Sequence, residues 1–430
     1  MNKHRYQAKG LQQVDWGQLA QAVEGRRVVL GVDVAKEDFY GAIMLSAREV
    51  LATVMWRHPQ QTRALEASLR ALGAAGIDVA LEPSGTYGDS VREVLRALGC
   101  SIYLVSPKRV HDAAEVYDGV PSLHDAKAAY LIGRLHLEGA SSAWRQDCAE
   151  RRDRQALVAE LDLYQSEQRR NLNRLEALLS RHWPELGRIA EINRSGVLHL
   201  LAIYGSAQAV HAERSAAEAL LYRVGRGLAN SETIEAILDS AEHTLGVPCT
   251  PGERHLLQVL ATEVLRTREA LRGVERRIAE LVRRDPPLQP LADTLGKTTA
   301  LVLDTALGSP LDYPNPHAYL KAMGLNLKER SSGQHQGRLR ITKRGPGRAR
   351  RYLFLSALRF VQRDPVVRAW YLRKVQRDGQ LPRFNALVAV MRKLALALWH
   401  VARGSPFDSR KLFDLKNLGL AAGTTVEHNS

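Results

Sequence analysis

Three acids stand where an apolar run stops. Asp33 ends RVVLGVD (27–33), Glu82 ends DVALE (78–82) ahead of a Pro-Ser-Gly turn, and Asp125 opens a helical stretch after GVPSLH (119–124). Carboxylates that are scattered in sequence but converge at strand ends suit phosphoryl transfer assisted by a divalent cation. Mg2+ takes hard oxygen ligands, keeps several waters, and is held by a few carboxylates together with substrate phosphate. Two such ions can stabilise the attacking and leaving oxygens of an in-line displacement. Each acid also has a plain structural role open to it: a turn cap for Asp33, a solvated strand-end charge for Glu82, a helix N-cap for Asp125.

A second centre reads ERSSGQHQGRLRITKRGPGRARR (329–351). Nine bases crowd residues 328–351, namely Lys328, Arg330, Arg338, Arg340, Lys343, Arg344, Arg348, Arg350 and Arg351, and only Glu329 opposes them. Glycines interrupt the run and let backbone approach a ligand closely, so the stretch reads as a phosphate grip and not a solvated helix face. Ser331 and Ser332 sit at its front. A serine hydroxyl is a weak nucleophile until a base or a metal activates it, and in a turn it can simply bond its own backbone. His335 is the nearest titratable candidate for a base, although a loop histidine is more often a phosphate donor. Arg338, Arg340 and Lys343 are suited to stabilising charge that builds on phosphate oxygens.

The elements that must carry these residues follow from periodicity. Residues 27–44 read as a hairpin, 49–56 as a third strand, 60–76 as a helix, 78–82 as a strand, 88–98 as a helix and 101–106 as a strand, followed by helices at 108–116 and 125–138. That order predicts an α/β domain of RNase H type. From 151 to 183, Leu157, Leu161, Tyr164, Gln168, Asn171, Leu175 and Leu178 step by fours and threes. Leu257, Leu260, Val264, Thr267, Leu271, Val274, Ile278 and Leu281 do the same in 253–284. Two such seams predict an antiparallel coiled coil around short helices at 185–250. Clustered prolines at 285–290 end it. Beyond, the pattern predicts a helix–turn–helix around Gly296 and helices at 316–323, 347–363 and 383–403.

Composition narrows the partner. The 430-residue chain carries a net charge of +15, with 45% hydrophobic residues, enough for two or three folded domains. Such a positive balance favours a polyanion, because each neutralised phosphate releases counterions. Cys100, Cys148 and Cys249 show no CxxC spacing, so neither a zinc site nor a disulfide framework is indicated. No signal-peptide pattern and no membrane-length apolar run is apparent, and the expectation is a soluble protein of a reducing cytoplasm with no membrane partner.

Taken together, GVDVAK, LEPSGTYG, HDAKAAYLIGRL and YLKAMGLNLKERSSG…GRLRITKRG…RRYL resemble the motifs of the DEDD transposases, the bridge-RNA-guided recombinases of the IS110 insertion-sequence family. The resemblance runs from about residue 27 to 404 in the right order. It implies a RuvC-like (RNase H-like) α/β domain at 27–145 after a lead of 1–26. It further implies a coiled coil with helical insertion at 146–285, a mostly α C-terminal transposase domain with a catalytic serine at 286–410, and a flexible tail at 411–430. By motif, Asp33 is the first metal-binding acid, Glu82 the second and Asp125 the last. The third position is Ser122 here, which leaves Asp118 as the substitute ligand and His124 as another possibility. Ser332, the serine before glycine, takes the nucleophile's place, with Ser331 next to it. Mg2+ (or Mn2+), donor and target DNA, a structured guide RNA, and a dimer assembling to a tetramer follow from the same likeness. The alternatives are a RuvC-like endonuclease that cuts branched DNA without a covalent intermediate, and a basic scaffold whose acids are structural.

Overall fold

A computed structural model describes residues 6–83, 85–224, 231–329, 339–377 and 383–413. The chain forms two compact units, 1–147 and 148–430.

The first unit is built on a seven-stranded mixed sheet. Its strands are β1 (Lys9–Gly10), β2 (Arg27–Asp33), β3 (Asp38–Ser46), β4 (Glu49–Arg57), β5 (Gly76–Leu81), β6 (Ser101–Val105) and β7 (Ser141–Ala143), in spatial order β1-β4-β3-β2-β5-β6-β7. β2, β3 and β4 form the expected antiparallel meander, and β2, β5 and β6 run parallel. The edge strands β1 and β7, two and three residues long, are too short to show a period of two. Alternation splits β2 between two cores. Val28, Leu30 and Val32 face α1 (Trp16–Val23), α2 (Thr62–Ala71) and α3 (Asp89–Ala97), while Val29 faces α4 (Pro107–Ala113) and α5 (Asp125–Leu137). The lead of the sequence reading thus belongs to the domain, since Leu11, Leu19 and Val23 are in its core.

Helix α5 is apolar nearly all round, with residues 126–133 and Leu135 buried, as befits a helix enclosed by protein. It approaches the sheet more closely than side chains would allow. A Cβ on Gly31 would lie 2.3 Å from the Ala129 carbonyl oxygen and 2.4 Å from the Gly133 nitrogen, and one on Gly133 would meet Gly31 Cα at 3.3 Å. Two glycines facing each other therefore set the gap between β2 and α5.

In the second unit, α6 (Ala149–His182) and α12 (Pro251–Arg283) run antiparallel. Glu160 pairs with Arg277 at 2.5 Å and Glu167 with Arg266 at 3.9 Å, so numbers rise on one helix as they fall on the other. The predicted seams face inward: Leu161, Leu175, Leu257, Val264, Val274 and Ile278 are buried. Between them lie α7 to α11 (Leu186–Ile189, Ser195–Tyr204, Ala207–Ala212, Arg214–Val224, Ser231–Glu242), which share a core with the distal halves of the long pair. The remaining helices are α13 (Gln289–Leu295), α14 (Lys297–Leu307), α15 (Pro316–Ala322), α16 (Gly347–Arg363), α17 (Pro365–Arg377) and α18 (Arg383–Ala402). α18 is long and apolar enough to cross a membrane, but Val390, Leu394 and Leu398 are wholly buried in the core of this unit. α17 is not among the helices expected from sequence, and it opens on Pro365. That proline occupies the first helical position, where no N–H is needed, and Asp364 Oδ1 accepts from the Val366 and Val367 amides.

Candidate active site

Register brings the acids together. Val32 stands beside Leu81 in the parallel β2–β5 pair, so Asp33 and Glu82 are the next residues on neighbouring strands. Asp33 shares its face with Val29 and Gly31, and Glu82 shares its face with Ala80, which packs in the core under α5. Asp125 lies one helical turn before Ala129, the residue pressed against Gly31. Strand ends and helix start therefore meet on one side of the sheet, and Asp125 stands at the positive end of its helix dipole.

Electrostatics report the same convergence. Burial, and then the Asp125 carboxylate, push Asp33 up to about 6, against a smaller pull from the Val34 amide. Burial, and then Asp33, raise Glu82. Tyr40, paired across the ladder with Asp33, is raised by burial and by Asp125, Asp38 and Asp33. No lysine or arginine contributes to any of these shifts. Among the described residues no three acid, His or Cys side chains are already drawn into a closed ligand set. The donor chemistry nonetheless fits a divalent cation: Asp33 and Glu82 are half-buried and Asp125 is exposed, Asp33 is repelled by Asp125 and Glu82 by Asp33, no basic partner is seen among the described residues, and all three supply only hard oxygens.

Asp118 contributes to none of these shifts and has partners of its own. Lys127 Nζ is 2.9 Å from its carboxylate oxygens, the Val120 amide donates to Oδ1 at 3.0 Å, and Tyr6 Oη donates to Oδ2 at 3.2 Å. Lys127, followed by Val120 and Tyr6, holds the Asp118 carboxyl below the usual range. His124 is the N-cap of α5, its Nδ1 accepting from the Lys127 amide at 3.4 Å. Lys127 itself, only 2% exposed, was not singled out in sequence. The signal was there: a lysine embedded in the apolar run AKAAYLIG has to find an anion when that run is buried.

The basic stretch is sorted by the structure into engaged and open residues. Strands β8 (Leu327–Lys328) and β9 (Arg340–Ile341) pair antiparallel, Lys328 opposite Arg340, and bring together the two ends of the serine-bearing segment. Ser331 and Ser332, with Arg330, His335 and Arg338, lie outside the described residues. Lys328, Arg340, Lys343 and Arg344 are exposed. Arg348 instead pairs with Asp162 at 2.6 Å, Arg351 donates to Gln165 at 3.4 Å, and Arg350 clamps the carbonyls of Gly345 (2.7 Å) and Met323 (3.1 Å). The charge is not spread along the chain. Residues 286–430 hold 24 Lys and Arg against nine Asp and Glu, the whole net charge of +15, while residues 1–285 hold 37 of each sign.

A family model described as transposase matches residues 30–184, which include all the acids. The model of the transposase IS116/IS110/IS902 family matches residues 293–372, which include the serines and the basic stretch. The chain is 26% identical over 401 residues to the insertion element IS110 uncharacterized 43.6 kDa protein of Streptomyces coelicolor, an alignment that spans 89% of this chain and 96% of that protein.

Proposed function

This chain belongs to the IS110 family of transposases, enzymes that act on DNA, and from that premise we propose that it cuts and rejoins DNA strands through a serine–DNA intermediate directed by a structured RNA. The observation that supports this most is the group of uncompensated carboxylates at Asp33, Glu82 and Asp125. These three would hold Mg2+ or Mn2+, which when bound neutralises phosphate charge and acidifies a coordinated hydroxyl. Asp33 and Glu82 present their oxygens from rigid strand ends, and Asp125 from the first turn of a packed helix, so the donors are fixed before substrate arrives.

Ser332 is the nucleophile in this reading. Its Oγ forms a bond to a DNA phosphorus as the bond from phosphorus to the 3′-oxygen breaks. The serine proton is lost, and the departing oxygen is protonated to a free 3′-hydroxyl. The phosphoserine ester keeps the energy of the broken linkage, so a second 3′-hydroxyl can reverse the step at a new partner without ATP. Lys328, Arg340, Lys343 and Arg344 bind backbone phosphates, and base pairing by the RNA supplies sequence choice. Acids and serine serve one phosphate within an assembly of several copies, a dimer or a tetramer.

The test is to incubate the protein with its flanking non-coding RNA, donor DNA and Mg2+, then to look for a protein–DNA adduct that survives denaturation. An adduct that disappears in Ser332→Ala supports the reading. An adduct that persists there and disappears in Ser331→Ala moves the nucleophile by one residue. Cut DNA with no adduct favours the endonuclease alternative.

A further inference from the structure

The family match begins at residue 30, yet the segment before it reaches the start of the metal-bearing helix. Tyr6 packs edge-on against His124, with centroids 5.7 Å apart, and against Tyr130 at 5.6 Å, and its hydroxyl donates to Asp118. Asp118 in turn neutralises Lys127, whose Nζ also donates to the Val120 carbonyl at 2.7 Å. Three pieces of chain are thereby tied at one point: the N-terminal segment, the connection between α4 and α5, and the first turn of α5, two residues from Asp125.

The charges explain why the knot holds. A lysine in the first turn of a helix opposes the dipole, and a buried ammonium needs an anion beside it. Asp118 supplies that anion, and its oxygens already accept from an ammonium, an amide and a hydroxyl. Turning Asp118 toward a cation would strand Lys127 in the interior without a counter-charge. The acid that the sequence nominates as a fourth ligand is committed elsewhere.

We propose that Tyr6, Asp118 and Lys127 are positioning residues, a brace that fixes the start of α5 and hence the reach of Asp125 toward Asp33 and Glu82, and that Asp118 is not a metal ligand. The inference rests on the reading of Asp33, Glu82 and Asp125 as the metal carriers.

The two roles of Asp118 predict opposite signs for one substitution. If Lys127 withholds a ligand, Lys127→Met releases Asp118 and tightens metal binding. If Lys127 braces the helix, the same change loosens it. Mn2+ alone is titrated calorimetrically into the full chain. Lys127→Met and Asp118→Asn each weaken Mn2+ binding roughly 10-fold, the effect of losing a group that orients a ligand, with the number of ions bound unchanged. The double variant is no weaker than either single one, because both changes break the same knot. Tyr6→Phe keeps the ring, removes one hydroxyl and weakens binding about 3-fold; it decides the matter should the buried substitutions fail to fold. Mn2+ affinity that rises or stays level in Lys127→Met, that is unmoved in Tyr6→Phe, or that falls as far in Asp118→Asn as in Asp125→Asn overturns the brace. Should Asp33→Asn and Asp125→Asn leave Mn2+ binding intact, the three-acid reading itself fails.

Discussion

The acid cluster and the basic stretch are both concentrations of one sign of charge, and the fold treats them differently. In the N-terminal unit the balance of charge is even, yet among the described residues no lysine or arginine offsets the repulsion that Asp125 exerts on Asp33 and Asp33 on Glu82. In the C-terminal region the balance is far from even, yet Arg348 and Arg350 are already engaged by a carboxylate and by carbonyls. Net charge therefore locates a partner only coarsely. What distinguishes a binding group is a charge that the fold itself leaves unanswered, and by that criterion the balanced domain carries the sharper signal.

The strongest way to break this comparison is to remove the unanswered charges. Asp33→Asn or Asp125→Asn should lower cleavage of labelled donor DNA by roughly 10³-fold, equivalent to about 4 kcal/mol of transition-state stabilisation. Near-normal cleavage in either variant would make the cluster structural. Next in size is the gap that brings the acids together. Gly31→Ala drives a methyl into the Ala129 carbonyl and should cost about 2–3 kcal/mol of stability, read by chemical denaturation. An unchanged midpoint would mean that α5 tolerates displacement and does not fix Asp125.

The engaged and open bases should also separate. Arg350→Ala leaves two carbonyls without a donor, and its stability should fall by about 1–2 kcal/mol. Arg344→Gln should leave the melting temperature alone and reduce the slope of log affinity for DNA against log salt by about 0.9, one phosphate contact. Identical behaviour of the two variants would erase the distinction.

The smallest effect is one of pH. Asp33 has a folded value of about 6, raised above its ordinary 3.8, so the folded state binds its proton more tightly than the unfolded chain does. The stabilisation is fully present below about pH 3.8 and is lost as pH rises through 6, leaving the metal-free protein destabilised near neutrality by something on the order of 1 kcal/mol. Asp33→Asn should flatten that part of the stability profile, and an equally steep profile in the variant would assign the pH dependence to other groups.

Much of this was legible in sequence, for physical reasons. An apolar strand that ends in an acid leaves the acid at the strand's end, so the places of Asp33 and Glu82 at the ends of β2 and β5 could be read from their runs alone. The long helices announced themselves through seams such as Leu257, Val264 and Ile278, because burial over more than 30 residues imposes a period that no short element can imitate. What stayed hidden depended on tertiary partners. Arg350 reads as one more base until its carbonyls are seen, and nothing local to Asp118 announces its pairing with Lys127. Neither Tyr6 nor the two-residue strand β1 has a local pattern that could announce it. Ser331 and Ser332 stay where the sequence left them, as assignments for the adduct experiment.

The central claim is that three carboxylates, and not Asp118, hold the metal. Anomalous diffraction from crystals soaked in Mn2+ tests it directly. The account predicts a peak with oxygens of Asp33, Glu82 and Asp125 at roughly 2.1 Å, while Asp118 remains on Lys127. A peak coordinated by Asp118, with Lys127 displaced, would contradict it.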